Sequence, residues 1–444
     1  MEIMVKGGNG ASFYGKRLSS SWSTDPRLPT AKSGQSMDAA RAYLNFVPHL
    51  IRRHMELILL PKKSENLSLD GIYHRALSRS KELYIVSAYL TEWGIKESLG
   101  DQCESFLFIV GKDFGITRKS ACRAVMEWLP ADRHQEFMVA ESINGFHPKA
   151  MFWREHDGKC YALLGSSNLT KAAFSTNFEA NGFACISDEQ FQLASEWIER
   201  VFEVSVTLNE TWLDRYQEAR QPANAGGSKA DDPKETQEAY HLPLPAIRKL
   251  KGYKPYLTRR RDQMKAFRRN KTNLVSLIRS TSKARIWNQT RIDDFYNNLC
   301  ALWYMGEQGS RFQGKGWERT GRNSDFREFS KSLIRVLDAP FAGRDRVVIQ
   351  EINRLTSIGL TTRGALFSEM LCQFFPKHYY VLNRPIRGWF EGLDITFPRG
   401  LSNGERYVDC ARLLRAALKR ADGYPAANLA ELDCIIWFAS TLDG

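Results

Sequence analysis

The segment from His147 to Glu179 combines side chains that can cleave a phosphodiester bond. It reads HPK at 147–149, GSSN at 165–168 and NFEAN at 177–181. These motifs supply an imidazole, an ammonium, a hydroxyl, an amide and a carboxylate. Cleavage without a metal ion needs a nucleophile, an acid for the leaving oxygen, and cationic or hydrogen-bonding groups around the phosphate. The residue types in this segment meet all of those needs.

Strand and turn geometry should bring several of these side chains together. Residues two apart on a strand project from the same face, so His147 and Lys149 are predicted to lie side by side. Gly165 ends a short apolar run that predicts a strand. Because glycine permits a tight turn, Ser166 and Asn168 are predicted to reach the same phosphate.

The ordered set of HxK, a strand, GSxN and then a carboxylate resembles the phospholipase D superfamily. It is similar to the nuclease branch in particular, including metal-independent restriction endonucleases, over residues 70–205. The resemblance implies an α/β catalytic domain with a mixed sheet flanked by helices, and it implies no metal ion or other cofactor. The catalytic residues that it implies are His147, Lys149, Ser166, Asn168 and Glu179.

The resemblance also implies a role for the main members of this set. His147 would attack phosphorus to give a phosphohistidine, or would protonate the leaving oxygen when it serves as the second histidine. Lys149 would neutralise phosphate charge, and Glu179 would orient the imidazole through its other nitrogen. Asn177 flanks the site. Arg154 departs from the pattern, because many members carry an acidic residue at that position.

The chain has one HxK motif, whereas a complete site of this superfamily uses two histidines. Single-motif members pair their motifs across a twofold interface, and twofold symmetry makes such a pairing natural. The resemblance therefore implies a homodimer whose two subunits complete one active site.

Composition and periodicity divide the chain into four segments. Residues 1–40 have little periodicity and are predicted to be a flexible N-terminal arm. Alternating β-rich and amphipathic runs predict the α/β catalytic domain at 41–217. Residues 218–240 contain almost nothing that could pack and are predicted to be a linker. Helical periodicity then predicts a mainly α domain at 241–444, which we expect to bind DNA.

Individual elements are predicted from the same periodicities. In the catalytic domain the predicted helices are 39–60, 68–80, 93–100, 118–129 and 188–204, and the predicted strands are 83–89, 105–110, 136–140, 161–164 and 182–186. In the second half the predicted helices are 292–305, 324–336, 345–355, 362–374, 384–391, 405–421 and 428–440. Thr361 or Thr362 is predicted to cap the fourth of these helices.

The charge of the chain favours a polyanionic partner. It carries 63 basic and 50 acidic residues, which gives a formal charge of +13. Fourteen Lys and Arg lie between Arg248 and Arg285 beside one acid, with aromatic residues such as Tyr253 and Phe267 among them. This mixture suits phosphate contact combined with base stacking. The residues predicted to bind nucleic acid are Arg259, Arg260, Arg261, Lys265, Arg268, Arg269 and Lys271.

The sequence also carries expectations about compartment. The N-terminal residues lack the apolar core of a secretory signal, and no stretch of roughly 18 apolar residues occurs. The eight cysteines form no CxxC and no zinc-ligand spacing, as expected for thiols in a reducing compartment. A cytoplasmic protein that does not bind membranes is therefore predicted.

Three functions fit these observations. The leading hypothesis is a dimeric, metal-independent nuclease that acts on DNA, or on single-stranded DNA or RNA, with a role in restriction or antiviral defence by analogy. A regulatory protein partner would be consistent with it. The second is a phospholipid-processing phosphodiesterase of the same superfamily. The third is a non-catalytic scaffold that binds nucleic acid.

Overall fold

The computed structural model describes residues 55–61, 68–219, 242–303, 310–313, 317–393 and 397–442. The predicted arm at 1–40 and most of the predicted linker at 218–240 lie outside these ranges. The described residues belong to a compact unit that spans Arg53–Gly444. None of the helices in the described ranges is both long enough and apolar enough to cross a membrane.

A mixed eight-stranded sheet is formed by the first half of the described chain. Its strands are β1 (Glu56–Leu60), β2 (Ser80–Ser87), β3 (Ser105–Val110), β4 (Phe137–Val139), β5 (Lys149–Glu155), β6 (Cys160–Gly165), β7 (Glu179–Ile186) and β8 (Val206–Thr207). Their order across the sheet is β1-β7-β6-β5-β2-β3-β4-β8. The pairs β2–β3 and β3–β4 are parallel, and the other neighbouring strands are antiparallel. The predicted mixed sheet is confirmed.

Helices cover both faces of this sheet. They are α1 (Leu69–Arg79), α2 (Lys119–Trp128), α3 (Lys171–Ser175), α4 (Asp188–Phe202) and α5 (Glu210–Arg215). The central strand β3 is buried along its whole length, because its side chains meet a helix layer on either side. Alternate residues such as Phe106 and Phe108 join a core that includes α1 and α2. Leu107 and Ile109 join a second core with α4.

The second half of the described chain is helical, as predicted. Its helices are α6 (Tyr253–Ser282), α7 (Gln289–Trp303), α8 (Glu318–Gly321), α9 (Phe326–Asp338), α10 (Phe341–Ser357), α11 (Ala365–Phe374), α12 (Arg384–Glu391), α13 (Asn403–Arg420) and α14 (Leu429–Ser440). The long helix α6 packs against α7, α9 and α14. Its buried side chains, Leu257, Phe267, Leu274 and Ile278 among them, recur at helical spacing and form the stripe that faces these neighbours.

Buried polar contacts join the helical half to the sheet. Arg412 of α13 is 1% exposed and forms an ion pair with Asp345 of α10 at 2.8 Å. Its guanidinium also donates to the backbone carbonyl of Gln135 at 2.7 Å, next to β4. Thr207 of β8 donates to Asp409 of α13 at 2.7 Å. These contacts hold α13 against the β4–β8 end of the sheet.

Two helix predictions in the first half are wrong. Residues 56–60 of the helix predicted at 39–60 form the edge strand β1, because pairing with β7 satisfies their backbone groups. Met55 is not helical either, and residues 39–54 of that prediction lie outside the described residues. Residues 93–100 form neither helix nor strand. Trp128 donates its indole N–H to the carbonyl of Glu97 at 2.7 Å, so that carbonyl is committed to a tertiary contact.

The predicted cap of the helix at 362–374 is also wrong. Helix α11 begins at Ala365, and its N-cap residue is Gly364, which has no side chain to accept from the helix. Thr361 and Thr362 form a 3-10 turn that precedes it. The hydroxyl of Thr361 bonds instead to Ser324 at 2.7 Å, so tertiary contact replaces the local cap.

Candidate active site

The strand register brings the predicted site to one end of the sheet. Ser87, the last residue of β2, pairs with Lys149, the first residue of β5. Gly165, the last residue of β6, pairs with Asn181 near the start of β7. In antiparallel pairs the end of one strand lies beside the beginning of the next. The segments that carry the predicted catalytic residues therefore leave the sheet at the same end of its strands.

His147 and Lys149 are in direct contact at this edge. Nζ of Lys149 lies 3.0 Å from Nδ1 of His147 and donates to the His147 carbonyl at 3.1 Å. Strand β5 begins at Lys149, so the pair forms where the chain enters the strand and not within it. The imidazole is exposed and the ammonium is half-buried. Burial lowers the pKa of Lys149, and the negative charge of Glu179 opposes that change.

Ser166 and Glu179 form a second contact. The Ser166 hydroxyl donates to one carboxylate oxygen of Glu179 and accepts the backbone N–H of Ala180 at 3.0 Å. Asn177 donates to the other carboxylate oxygen at 3.2 Å. Among the described residues the Glu179 carboxylate thus accepts from Ser166 and Asn177, and no hydrogen bond joins it to His147. The orientation of the imidazole by Glu179 stays a prediction.

Asn168 is oriented by a backbone N–H just beyond the end of β2. Its side-chain oxygen accepts the N–H of Tyr89 at 3.3 Å. A backbone N–H can only donate, so this contact fixes which end of the amide is the oxygen. Ser87 supports the same corner, since it donates to the Tyr89 carbonyl at 2.8 Å and accepts from the backbone of Leu169 at 3.4 Å. The NH₂ group of Asn168 is therefore the end that can donate to a phosphate.

Gly165 is required by a close approach between β6 and β7. A Cβ at this position would lie 2.7 Å from the carbonyl oxygen of Ala180 and would also collide with the side chain of Asn181. Asn181 uses that space to pin the turn after Gly165. It accepts the backbone N–H of Ser167 at 3.3 Å and donates to the Ser167 hydroxyl at 2.8 Å.

Two residues of this site were not singled out from the sequence. The first is Tyr89, which stands edge-on to the imidazole of His147 with ring centroids 5.6 Å apart. Nζ of Lys149 lies 6.0 Å from the centroid of the Tyr89 ring. Asn181 is the second residue. The available signals were an aromatic residue at the end of a predicted strand and a second asparagine in the NFEAN motif. Neither signal indicates a partner that is distant in sequence.

The remaining polar groups near the motif have structural partners. Arg154, at the position where the superfamily pattern has an acid, pairs with Glu82 at 2.9 Å and also with Asp188. His156 lies in the exposed turn between β5 and β6. In the part of the chain that the structure describes, no three His, Cys, Asp or Glu side chains are grouped as ligands for a metal ion.

Comparison with known proteins gives partial similarities. No family model matches the chain, and no curated protein matches it. Among solved structures, NucT from Helicobacter pylori is 16% identical, and the match covers 35% of this chain and 99% of NucT with a TM-score of 0.27. Nuc, a phospholipase D family member from Salmonella typhimurium, is 13% identical, with 35% and 99% covered and a TM-score of 0.28. Scores at this level establish no activity for the chain.

Helix α6 displays most of the basic residues predicted to bind nucleic acid. Arg259, Arg268 and Arg269 are exposed, as is Lys271, whose ammonium lies 5.6 Å from the ring of Phe374. Lys265 is exposed and pairs with Asp262 on the same helix at 3.0 Å. Such exposed pairs are weak, so Lys265 can exchange its partner for a phosphate. Nucleic-acid binding by this surface stays a prediction.

Arg260 and Arg261 differ from the rest of that set. Arg260 is 6% exposed, and its guanidinium pairs with the buried Asp433 at 2.7 Å and donates to the carbonyl of Ala430 at 3.0 Å. The prediction that Arg260 contacts nucleic acid is therefore wrong, because its charge is neutralised inside the helical half. Arg261 is exposed but pairs with Glu431 at 2.9 Å.

Proposed function

We propose that this protein is a phosphodiesterase of the nuclease type that cleaves DNA through a phosphohistidine intermediate without a metal ion. The convergence of His147, Lys149, Ser166, Asn168 and Glu179 at one edge of the sheet carries the proposal. Within that set the contact of 3.0 Å between the His147 ring and the Lys149 ammonium is the decisive observation. This contact places the Lys149 ammonium beside the His147 nucleophile, where the ammonium can bind the phosphate that the imidazole attacks.

The chemistry follows from these groups in two steps. In the first, an imidazole nitrogen of His147 forms a bond to phosphorus, and the bond from phosphorus to the leaving oxygen breaks. A second imidazole gives its proton to that oxygen. In the second step, water loses a proton to the second imidazole and attacks phosphorus, and the phosphorus–nitrogen bond breaks. The products are a free hydroxyl and a phosphate monoester.

Lys149, Ser166 and Asn168 would stabilise the charge on the non-bridging oxygens during both steps. Each offers a positioned donor in a site where such groups are preorganised, and one donor of this kind contributes about 10²–10³ in rate. The half-buried ammonium of Lys149 has the largest charge among them. Because the Tyr89 backbone holds Asn168, its NH₂ group needs no reorganisation when the phosphate binds, whereas Ser166 would turn its single O–H from Glu179 to the phosphate.

The second imidazole would come from another copy of the chain. The chain has one HxK motif, and His147 is the histidine that this motif supplies. A homodimer with a twofold axis beside the site would place His147 of the partner subunit opposite the first. The same arrangement would let Glu179 orient the imidazole of the partner subunit, since the described residues show no contact of Glu179 with His147 within one chain.

One assay tests the proposal. The full chain is incubated with plasmid DNA and with single-stranded DNA in excess EDTA, beside His147→Ala and the matched control His156→Ala, a histidine in an exposed turn. We expect EDTA-resistant cleavage by the wild type and by His156→Ala, and none by His147→Ala. DNA binding without cleavage would indicate a scaffold, and turnover of phospholipid vesicles alone would indicate a lipid enzyme. Either result would contradict the nuclease.

The exposed basic surface of α6 would hold the substrate. Arg259, Arg268 and Arg269 are exposed on this helix, and phosphates are the natural counter-charge for such arginines. A role in restriction or antiviral defence, with a regulatory partner that limits cutting, is the biological setting that we propose for this activity. Whether phage infection depends on His147 in a host that carries the gene would test that setting.

A further inference from the structure

Two exposed phenylalanines stand near the candidate site, at the same end of the sheet. Phe178 directly precedes β7 and is 92% exposed. Phe114 lies four positions after the end of β3 and is 44% exposed. Ser87 at the end of β2 pairs with both Val110 of β3 and Lys149 of β5. The segments that carry the two phenylalanines therefore leave the sheet at the end where the candidate site lies.

The two phenylalanines lie on opposite sides of His147. In the order of the sheet, two strand spacings separate β7 from β5, and two more separate β5 from β3. Because neighbouring strands are about 4.8 Å apart, each of these segments leaves the sheet about 10 Å to one side of β5. Strand β5 begins two residues after His147. The proposed nucleophile thus stands between two aromatic side chains.

Hydrogen bonds tie both segments to the framework of the site. Asn177, the residue before Phe178, donates its side-chain amide to the Glu179 carboxylate at 3.2 Å. Asp113, the residue before the second phenylalanine, accepts the backbone N–H of Phe146 at 3.0 Å. Phe146 is the residue directly before the proposed nucleophile. The positions of the two rings are therefore linked to the groups that would hold a phosphate.

Phe114 has a backbone conformation that a bulky residue rarely adopts. In the part of the chain that the structure describes, it is the one residue other than glycine with a positive φ, at 58°. Such a conformation costs free energy, and residues that adopt it cluster at ligand sites. Burial of the ring offsets the cost only in part, since nearly half of the residue is exposed. The strain therefore favours a role in binding.

The chemistry of this end of the sheet alternates. An exposed aromatic ring lies on each side, and the polar groups of His147 and Lys149 lie between them. Lys171 adds an exposed cation beside the row, because the backbone N–H of Asn177 bonds to the carbonyl of Ala172 at 2.8 Å. A surface that docks an apolar segment would be continuous, whereas charged groups interrupt this one. A nucleic-acid strand is complementary to it, since each phosphate is flanked by the bases of two nucleotides.

We infer that Phe178 and Phe114 bind the two bases that flank the scissile phosphate, and that the substrate is single-stranded DNA. The inference rests on the proposed function, which places the phosphate at His147. A base can stack on a phenylalanine only when one of its faces is free, whereas in a duplex both faces are covered by neighbouring base pairs. Stacking on aromatic side chains contributes affinity with little preference for sequence. The two rings hold the strand so that a phosphate lies at the nucleophile.

Steady-state cleavage of a short single-stranded oligonucleotide in EDTA tests the inference. Phe178→Ala removes one ring, and Phe114→Gly removes the other, since glycine accepts the positive φ. We expect each variant to raise KM about tenfold through the loss of one stacked base and to leave kcat within about twofold. Phe178→Trp should keep the wild-type KM, whereas Phe178→Leu should behave like Phe178→Ala. Leu193→Ala is the matched control, because Leu193 is an exposed apolar residue of α4.

An oligonucleotide without bases provides a second measurement. An abasic strand of the same length keeps every phosphodiester but offers nothing to stack. Fluorescence anisotropy in the His147→Ala background gives the Kd of both strands without cleavage. We expect the normal strand to bind about 100-fold more tightly than the abasic strand, about tenfold for each ring. Adding Phe178→Ala and Phe114→Gly together should remove most of that difference.

Several results would overturn the inference. An unchanged KM in either variant would show that the ring does not contact the substrate. Equal kcat/KM of the wild type for duplex and single strands would show that the bases need not be unpaired. A wild-type KM in Phe178→Leu would show that the contact is not stacking. A lower melting temperature of Phe178→Ala would show that the ring packs against another part of the chain or against a second copy.

Failure of the inference can be distinguished from failure of the proposed function. If no DNA is cleaved in EDTA, but the oligonucleotide binds about tenfold more weakly to each phenylalanine variant, the base-binding site is supported and the nuclease is not. If the wild type cleaves the oligonucleotide and both variants keep its KM, the nuclease is supported and the base-binding site is wrong. When both are right, cleavage is lost only in His147→Ala, and KM rises in the phenylalanine variants.

Discussion

Lys149 illustrates how a single side chain depends on its surroundings. Two opposing effects act on its ammonium: partial burial lowers its pKa, and the nearby Glu179 carboxylate raises it. A phosphate held against this group would further favour the charged form. The same Glu179 carboxylate accepts from Ser166 and Asn177. One acidic residue thus supports both the charge of the lysine and the position of the serine.

Replacing Glu179 with Gln tests this double role. Loss of the negative charge withdraws its stabilisation of the ammonium, so the pKa of Lys149 should fall further below its ordinary value. We therefore expect the alkaline limb of the pH–rate profile for DNA cleavage to move to lower pH, with the maximal rate reduced on the order of 10²-fold. Glu127→Gln on the exposed side of α2 is the control. An alkaline limb that does not move would mean that Glu179 does not act on Lys149.

At the scale of elements, the site depends on how closely β6 and β7 approach. Gly165 ends β6 at the point where the Asn181 side chain crosses to hold the next turn. The four residues of the GSSN motif thus end β6, allow β6 and β7 to approach closely, and form a turn that hydrogen bonds hold. The glycine is needed for space, since the carbonyl of Ala180 lies where a Cβ would point.

Gly165→Ala should therefore separate the two strands at their site end. We expect a loss of about 1–3 kcal/mol in the free energy of unfolding, as for other overpacked positions, together with a loss of cleavage as Ser166 moves. Urea denaturation and the cleavage assay measure the two effects. Gly94→Ala is the matched control, because a Cβ there would meet nothing within 4 Å. Equal stability of both variants would contradict the steric explanation.

Helix α6 carries both buried and exposed arginines, and we expect different roles for the two sets. Arg260 is buried against Asp433, whereas Arg268 and Arg269 are exposed. Removing one partner of a buried ion pair leaves an uncompensated charge, at a cost of about 3–5 kcal/mol. Removing an exposed arginine that contacts phosphate costs little stability and reduces the salt dependence of binding.

Alanine variants of this helix should follow that division. We expect Arg260→Ala to lower the melting temperature strongly. The double variant Arg268→Ala with Arg269→Ala should keep the wild-type melting temperature and weaken DNA binding, with a slope of log affinity against log salt that is smaller by about 0.9 for each phosphate that is no longer neutralised. Fluorescence anisotropy with duplex and single-stranded DNA at several salt concentrations measures this. Unchanged affinity and slope would place the DNA on another surface.

At the scale of the whole molecule, buried polar contacts join the sheet to the helical half, and the proposed function makes the site one half of a composite. Arg412, Asp345 and Thr207 lie in a buried network between α13, α10 and β8. Such a network is costly to break, because each removed partner leaves a buried polar group without a bond. We infer that a substrate bound on the helical half is held at a fixed distance from the sheet of the same chain.

The composite site makes a quantitative prediction for mixed dimers. Wild-type chains are unfolded together with an equal amount of His147→Ala chains and then refolded, so that subunits associate at random. If both imidazoles are required, only dimers of two wild-type chains cleave DNA, and about a quarter of the dimers are of that kind. We expect cleavage near a quarter of the wild-type value. Cleavage near a half would show that each chain acts alone.

The sequence by itself determined the chemistry that the chain can offer and the order of its two halves. HxK, GSxN and the NFEAN carboxylate are local patterns, and their positions at strand ends follow from alternating apolar runs that are also local. The approximate bounds of most helices in the second half follow from helical periodicity. Short-range spacing is sufficient for all of these.

Tertiary structure alone decided the rest, because contacts between residues distant in sequence leave no periodic signal. Pairing with β7 makes residues 56–60 a strand instead of a helix, and residues 93–100, where the Glu97 carbonyl accepts the indole N–H of Trp128, form no helix. Arg260 has the same composition around it as Arg259, yet only packing against α14 determined which guanidinium is buried. Tyr89 joins His147 for the same reason. Pairing and burial depend on the whole chain, whereas motifs depend on their neighbours.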